Sequence, residues 1–357
     1  LPISAFARKR GFSRHADPRP LYDVEDAERA VAMLRPVEFE RPFQPLHDMT
    51  ATLDHAGHIL GSSILTVRDE TSGRTVVFSG DLGRGNHPLL AAPHPPPDAD
   101  AIVIESTYGD REHEDVDEQI DLMAAAITRT LKRGGTVVIP AFAVDRTEVL
   151  LTCLKTLQDQ QRIPIAPIHV DSPMALAAMR VYVEAIQDAD PEINSAVVAE
   201  GPDAIDLRNL HEATTPQESM ALDRGGARII VSASGMASGG RVTHHLKALP
   251  PDRDSTVLLV GFQAVGTPGR MLADGAHELK IHGEYVPVRA EIVPIEAFSV
   301  HADAGELIAW LTSCSRKPQQ VFVNHGEADA ARVLAERIRS SWDVAVVVPQ
   351  EGERVHI

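Results

Sequence analysis

The sequence predicts an α/β protein in which one layered unit, built from the first and last thirds of the chain, is interrupted by a second unit of alternating strands and helices. Three observations carry this. Short β-type runs at 50–53, 63–68 and 75–78 read as a meander, the last two joined by the hairpin-like turn Glu70-Thr71-Ser72-Gly73. From 110 to 296, continuous apolar runs alternate with amphipathic stretches, the pattern of a parallel sheet with loops gathered at one edge. After Glu291 the pattern of the first third returns. The expected division is 1–109, 110–296 and 297–357, with the outer two packing together.

Residues 1–22 mix Arg, Lys, Pro and aromatics without periodicity and read as an irregular arm. Asp23-Val24-Glu25-Asp26 supplies acidic N-cap chemistry for a helix to about residue 34, closed by Pro36. A proline-rich connector at 93–98 leads to an apolar strand at 101–104. The acidic stretch 110–121 enters an amphipathic helix stopped at Gly134-Gly135. Strands follow at 136–139, 165–170, 228–232 and 256–260, with helices at 147–158 and after Asp171-Ser172-Pro173-Met174. Towards the end, a strand from Glu291 is expected to reach His301, a helix to cover 304–311, a strand to reach His325, and a helix at 328–340 and strand at 344–348 to finish.

At 357 residues the chain can bury a large core, and its length suggests two domains or one with a large insertion. Hydrophobic residues make up 43% and no apolar run is long enough to cross a bilayer, so no membrane partner is expected. Two unclustered cysteines, Cys153 and Cys314, exclude a disulfide framework and favour a cytoplasmic setting. The net charge of −17 excludes a general polyanion-binding surface, so any nucleic-acid contact must be local, in a cleft. A homo-oligomer is compatible with the composition.

Four candidate residues emerge where apolar runs end: His58, Asp81, His301 and His325. Strand ends are where α/β folds place their chemistry. A single His at such a place is most often a loop residue satisfied by hydrogen bonds; four such places in one chain favour a site. Glu105 ends the strand at 101–104 and reads either as a capping carboxylate or as a catalytic one. The small-residue stretch Ser232-Ala233-Ser234-Gly235-Met236-Ala237-Ser238-Gly239-Gly240-Arg241 joins a strand to a helix, and the backbone N–H groups at such a helix start suit a phosphate, the alternative being a flexible turn. His244 and His245, adjacent on a helix, point to different faces and read as surface or packing residues.

Seven motifs together carry a family resemblance: His55-Ala56-Gly57-His58-Ile59-Leu60-Gly61-Ser62, Ser79-Gly80-Asp81-Leu82-Gly83, Glu105-Ser106-Thr107-Tyr108-Gly109, Pro140-Ala141-Phe142-Ala143-Val144, Ser234-Gly235-Met236, Phe298-Ser299-Val300-His301-Ala302-Asp303 and Asn324-His325-Gly326-Glu327. In this order they resemble the β-CASP branch of the metallo-β-lactamase superfamily, and within it the prokaryotic relatives of the mRNA 3′-end endonuclease. The resemblance implies an αββα sandwich, incomplete at its N-terminal side, with an inserted β-CASP α/β domain. It implies zinc-dependent hydrolysis of RNA phosphodiester bonds with two ions, RNA lying in the cleft between domains. By the same resemblance His58 and His325 are zinc ligands and Asp81 a carboxylate bridging both ions. Glu105 and His301 form a catalytic pair, His301 protonating the leaving oxygen, and Ser232, Ser234 and Gly235 contact phosphate. Two zinc ions about 3.5–4 Å apart can clamp both oxygens of an in-line displacement.

The family's His-x-His-x-Asp-His motif, which supplies most zinc ligands, occurs nowhere in this sequence. His15-Ala16-Asp17 lacks its spacing and its preceding strand. The chain therefore reads as beginning inside a larger protein, and as inactive and weakly zinc-binding by itself, since a catalytic zinc normally has three protein ligands of its own. His55 and His15 are the next places to look for ligands. Two other readings stand beside this one: a non-catalytic scaffold of an RNA-processing complex, and a small-molecule hydrolase of the same superfamily. The conjunction of His58, Asp81, Glu105, His301 and His325 weighs against the first, and the insertion at 110–296 against the second.

Overall fold

The apolar runs build two main sheets in the computed structural model, which describes residues 22–357 apart from 208, 225 and 296. Residues 1–21 of the expected arm, with His15, lie outside the described residues. Helix α1 (Val24–Met33) starts as its sequence dictates: the Asp23 side chain accepts from the Asp26 N–H while Asp26 accepts from the Asp23 N–H, a reciprocal cap.

The first sheet has seven strands in the order β1 (Phe43–Leu46), β2 (Met49–His55), β3 (Ser63–Asp69), β4 (Thr75–Phe78), β5 (Ala101–Ile104), β14 (Gln320–Val323) and β15 (Ala345–Val347). Strands β1 to β4 form an antiparallel meander, and β4, β5, β14 and β15 run parallel. Chain ends far apart in sequence thus meet where β14 pairs with β5, Val323 opposite Ile104. Helices α9 (Ala304–Thr312) and α10 (Ala328–Ser341) bury Leu307, Trp310, Leu311, Leu334 and Ile338 against Ile64, Val77, Ile102, Ile104, Val321 and Val323. At about 1.5–3 kcal/mol for each large side chain fully removed from water, this burial outweighs the few tenths per residue that helix propensity contributes. The opposite face is different. Leu65, Val67, Val76 and Val103 are half-buried and Phe78 is 40% exposed. That face is the more open of the two around β3 and β4, though Phe322, opposite Val103, is buried on it.

The second sheet is entirely parallel, in the order β13 (Glu291–Ile295), β10 (Thr256–Val260), β6 (Thr136–Pro140), β9 (Arg228–Ser232), β7 (Ile168–Asp171) and β8 (Leu210–Glu212). Helices α2 (Val116–Lys132), α3 (Arg146–Asp159) and α4 (Pro173–Gln187) pack on it through Ile127, Leu150, Leu154 and Tyr182. A small hairpin, β11 (Glu278–Ile281) with β12 (Glu284–Pro287), packs through Leu279 and Val286 against α7 (Val242–Ala248) and α8 (Pro268–Ala273).

Two sequence expectations are corrected. The strand from Glu291 does not reach His301. It pairs residue by residue with β10 and stops at Ile295, because β10 ends there and Gly261, at φ +82°, turns away after donating to the Ile295 carbonyl. Residues 297–300 then cross from one sheet to the other. The strand expected from 165 begins at Ile168, where pairing to Ile229 and Leu210 starts, which leaves Ile165 81% exposed.

Candidate active site

Each site residue stands on a loop whose shape is forced by close packing. After β2 the chain turns through Gly57, at φ +65°, where a Cβ would lie 2.7 Å from the Ala91 carbonyl oxygen. The Ser62 hydroxyl then accepts from the His58 and Ile59 N–H groups, fixing the His58 backbone. After β4, Gly80 packs against the Ser63 carbonyl and delivers Asp81. Gly83 approaches the Gly57 carbonyl so closely that a Cβ would stand 1.8 Å from it, locking the Asp81 and His58 loops together.

His58, Asp81 and His325 converge. The two oxygens of Asp81 face different imidazoles: Oδ2 is 3.8 Å from His58 Nε2, and Oδ1 is 3.1 Å from His325 Nε2. His58 is largely buried, and its Nδ1 has no hydrogen-bond partner. Burial, reinforced by the neighbouring His301, pushes its pKa down to about 4 against the pull of Asp81, so the ring is neutral at physiological pH. His325 is held at φ +47°, its carbonyl accepting from the Ser106 N–H, and its side chain is 61% exposed.

Glu105 and His301 form a second pair beside the first. Glu105, at the end of β5, is 2% exposed. Its Oε1 accepts from the Leu82 N–H at 2.6 Å and its Oε2 from the Thr107 N–H at 3.3 Å. His301 Nδ1 lies 3.2 Å from both oxygens. Burial alone would raise the Glu105 pKa, but the bonds from His301, Thr107 and Leu82 outweigh it and hold the carboxyl below its ordinary value. The His301 ring stands 4.2 Å, centroid to centroid, from that of His58. Its backbone pairs with Gly83, and the next N–H, of Ala302, donates to the Leu82 carbonyl.

Two residues not singled out in the sequence belong here. His113 Nε2 is 2.9 Å from the His301 carbonyl, and the His113 N–H donates to Asp303, which caps α9. The acidic surroundings of His113 read only as a helix leader. Arg146, at the start of α3, is 5% exposed, with Nε and Nη1 buried and unpartnered, its guanidinium 5.9 Å from the Phe142 ring centre. Its Nη1 lies where a Cβ on Gly261 would be, at the carboxyl edge of the second sheet.

The small-residue loop joins β9 to the next helix over the residues expected. That helix, α7, begins at Val242, and the Val242 N–H donates to the Ala233 carbonyl, so the first N–H of the helix is already taken within the loop. Ser232 is buried, and its hydroxyl donates to the Asp171 carbonyl, because Asp171 and Ser232 pair directly between β7 and β9. Ser234 accepts from the Ser238 N–H. Gly235 packs on Phe142, where a Cβ would be 2.7 Å from the ring. His245 is wholly buried between Asp171 and Asp223, at 2.7 and 2.6 Å.

The donor set suits zinc. Two imidazoles, one held neutral by burial, address opposite oxygens of one carboxylate, and His58, Asp81 and His301 also bring one donor atom each within 4.8 Å of one another. Comparisons with known proteins agree with this chemistry. Residues 147–272 match the Beta-Casp domain, and residues 285–349 match the Zn-dependent metallo-hydrolase RNA specificity domain. A ribonuclease of Thermus thermophilus is 35% identical over 316 residues, covering 88% of this chain and 71% of the relative. An RNase J-like protein of Methanocaldococcus jannaschii is 29% identical, covering 93% and 76%. The transcription termination factor FttA of Methanothermobacter thermautotrophicus is 28% identical over 96% of this chain, which spans 55% of that relative's length. With its site residues converging on loops that close together and a Thermus ribonuclease alike over most of both lengths, the chain belongs to the β-CASP family of metallo-β-lactamase-fold RNA nucleases.

Proposed function

We propose that the chain carries the proton-donating half and part of the metal-holding half of a zinc-dependent ribonuclease site, with RNA lying between two domains, 1–109 with 297–357 on one side and 110–296 on the other. The observation that carries this reading is the bidentate hold of Glu105 on His301 Nδ1, next to but separate from the His58–Asp81–His325 set. His58, Asp81 and His325 would hold the metal. When bound, zinc supplies Lewis acidity that acidifies a water and neutralises charge on the phosphoryl oxygens.

The chain's own residues then divide the work. Glu105 accepts hydrogen bonds from the Nδ1–H of His301, fixing tautomer and ring orientation, and leaves Nε2 as the nitrogen that meets substrate. A ring protonated on both nitrogens finds its counter-charge in Glu105. From Nε2 the proton passes to the leaving oxygen as the P–O bond breaks. His113 holds the His301 carbonyl, so the ring is positioned from both sides. Arg146, with its unpartnered buried nitrogens, together with Ser234 and Gly235, forms the phosphate-contacting edge of the second domain.

The likeness to ribonucleases supports RNA as substrate, and three ligands on this chain support weak zinc retention by it. The half-buried apolar face around Phe78 supports self-association of this chain in isolation. In a protein carrying the full ligand set, His301→Ala should lower RNA cleavage by roughly 10²–10⁴, the range for a lost general acid. The defect should shrink on a substrate with a better leaving group. A defect of the same size on both substrates would remove His301 from the proton-transfer role. A second reading, favoured by the approach of His301 to His58 and Asp81, makes His301 a ligand in place of the exposed His325.

A further inference from the structure

Outside the catalytic cluster, three side chains from separate stretches meet: Glu40 in the turn before β1, His55 at the end of β2, and His94 in the proline-rich connector. Each offers one donor atom, and the three atoms lie within 4.8 Å of one another. His94 Nδ1 is 3.5 Å from Glu40 Oε1, and the His55 and His94 rings stand edge to face with centroids 5.0 Å apart. The backbone has already gathered them. The Glu40 N–H donates to the Leu53 carbonyl at 2.8 Å and the His94 N–H to the His55 carbonyl at 2.9 Å, so both outer residues hang from β2. The His94 carbonyl accepts from the Trp310 indole N–H at 2.7 Å, which fixes the connector from the helix side. Little chain entropy remains to be lost when a ligand joins the three.

A separate observation points to such a ligand. His55 is 7% exposed, yet its Nδ1 is buried with no hydrogen-bond partner, the nearest carboxylate oxygen, on Glu192, lying 3.6 Å away. A buried polar atom left unpaired costs about 1–3 kcal/mol, which the Glu192 carboxylate at 3.6 Å offsets only in part. Two imidazoles and one carboxylate are the set that holds zinc with a fourth position open, at bonds of about 2.0–2.2 Å. Magnesium and calcium prefer all-oxygen surroundings, so this set discriminates against them.

We propose that Glu40, His55 and His94 form a zinc site of their own, sharing no residue with the His58–Asp81–His325 set, that clips the segment before β1 and the connector onto β2 three residues before His58. This site does not depend on the nuclease reading, and it is tested with zinc itself. A His58→Ala/His325→Ala variant, dialysed against chelator and titrated with zinc chloride, should bind one zinc per chain and melt at a higher temperature once loaded. Adding His94→Ala, a partly exposed position whose loss leaves the core intact, should weaken that binding roughly tenfold or more and abolish the rise in melting temperature. Glu40→Gln, on the surface, should act in the same direction, and magnesium chloride should not replace zinc. The proposal is overturned if the His58→Ala/His325→Ala protein binds no zinc, or if His94→Ala and Glu40→Gln leave zinc binding and the melting shift unchanged.

Discussion

His58, Asp81, Glu105, His301 and His325 were legible as candidates because each is a polar side chain closing an apolar run; parallel pairing of β4, β5 and β14 brings Asp81, Glu105 and His325 together, while His58 and His301 arrive on loops that pack on Gly83. Ser232 was legible as a strand end but not as a buried one. Its direct pairing with Asp171 depends on the neighbour strand β7, which a local reading does not see. His113 and Arg146 were missed for a related reason: His113 matters through the carbonyl of the remote His301, and Arg146 through a burial by remote segments that leaves its own nitrogens unpartnered. Arg146 yields a test at this scale. If its guanidinium meets one RNA phosphate, Arg146→Gln should weaken binding of single-stranded RNA and reduce the slope of log affinity against log salt by about 0.7. Filter binding over a salt series measures both, and an unchanged slope would take Arg146 out of the RNA path.

Among the elements, the parallel strands of the inserted region were readable from continuous apolar runs, and capped helices such as α4, with Ser172 accepting from the Ala175 N–H, from their N-terminal residues. What escaped were boundaries set by partners. β13 ends where β10 ends and β7 begins only where it pairs with β9 and β8, whereas the loop from Ser232 to α7 spans the residues its sequence indicates. That loop is anchored by the buried Asp171–His245–Asp223 group, with Arg241 also on Asp171 at 2.6 Å. Burial works against charge on His245, but the bonds to Asp171 and Asp223 prevail and raise its pKa from 6.5 to about 9. A group raised on folding contributes its full stabilisation below the unfolded value and loses it as pH climbs through the folded one. The urea midpoint of the protein should therefore fall between pH 6.5 and about 9. His245→Gln should be less stable at the lower pH, on the order of 3–5 kcal/mol for a broken buried pair, and flat across this window. A wild-type midpoint that does not fall would show that His245 is not protonated in the fold.

For the whole molecule, the interrupted pattern of the sequence corresponds to two sheets of different kind, a mixed seven-stranded one and an all-parallel six-stranded one. The hairpin of β11 with β12 and the short helices around it had no legible signal, since each buries only a few side chains against neighbours distant in sequence. The half-buried face around Phe78 was equally hidden, because a strand's periodicity shows that it has two faces and not whether both are covered. The first sheet brings the His58–Asp81–His325 set beside the Glu105–His301 pair, and the proposed division of these into metal-holding and proton-donating groups is the central claim. Its most direct test is zinc affinity, measured by competition with a chromophoric chelator in a His94→Ala background, for His325→Ala beside His301→Ala. The division predicts that His325→Ala weakens zinc binding roughly tenfold or more while His301→Ala leaves it unchanged. Equal weakening by both substitutions would contradict it and make His301 a ligand.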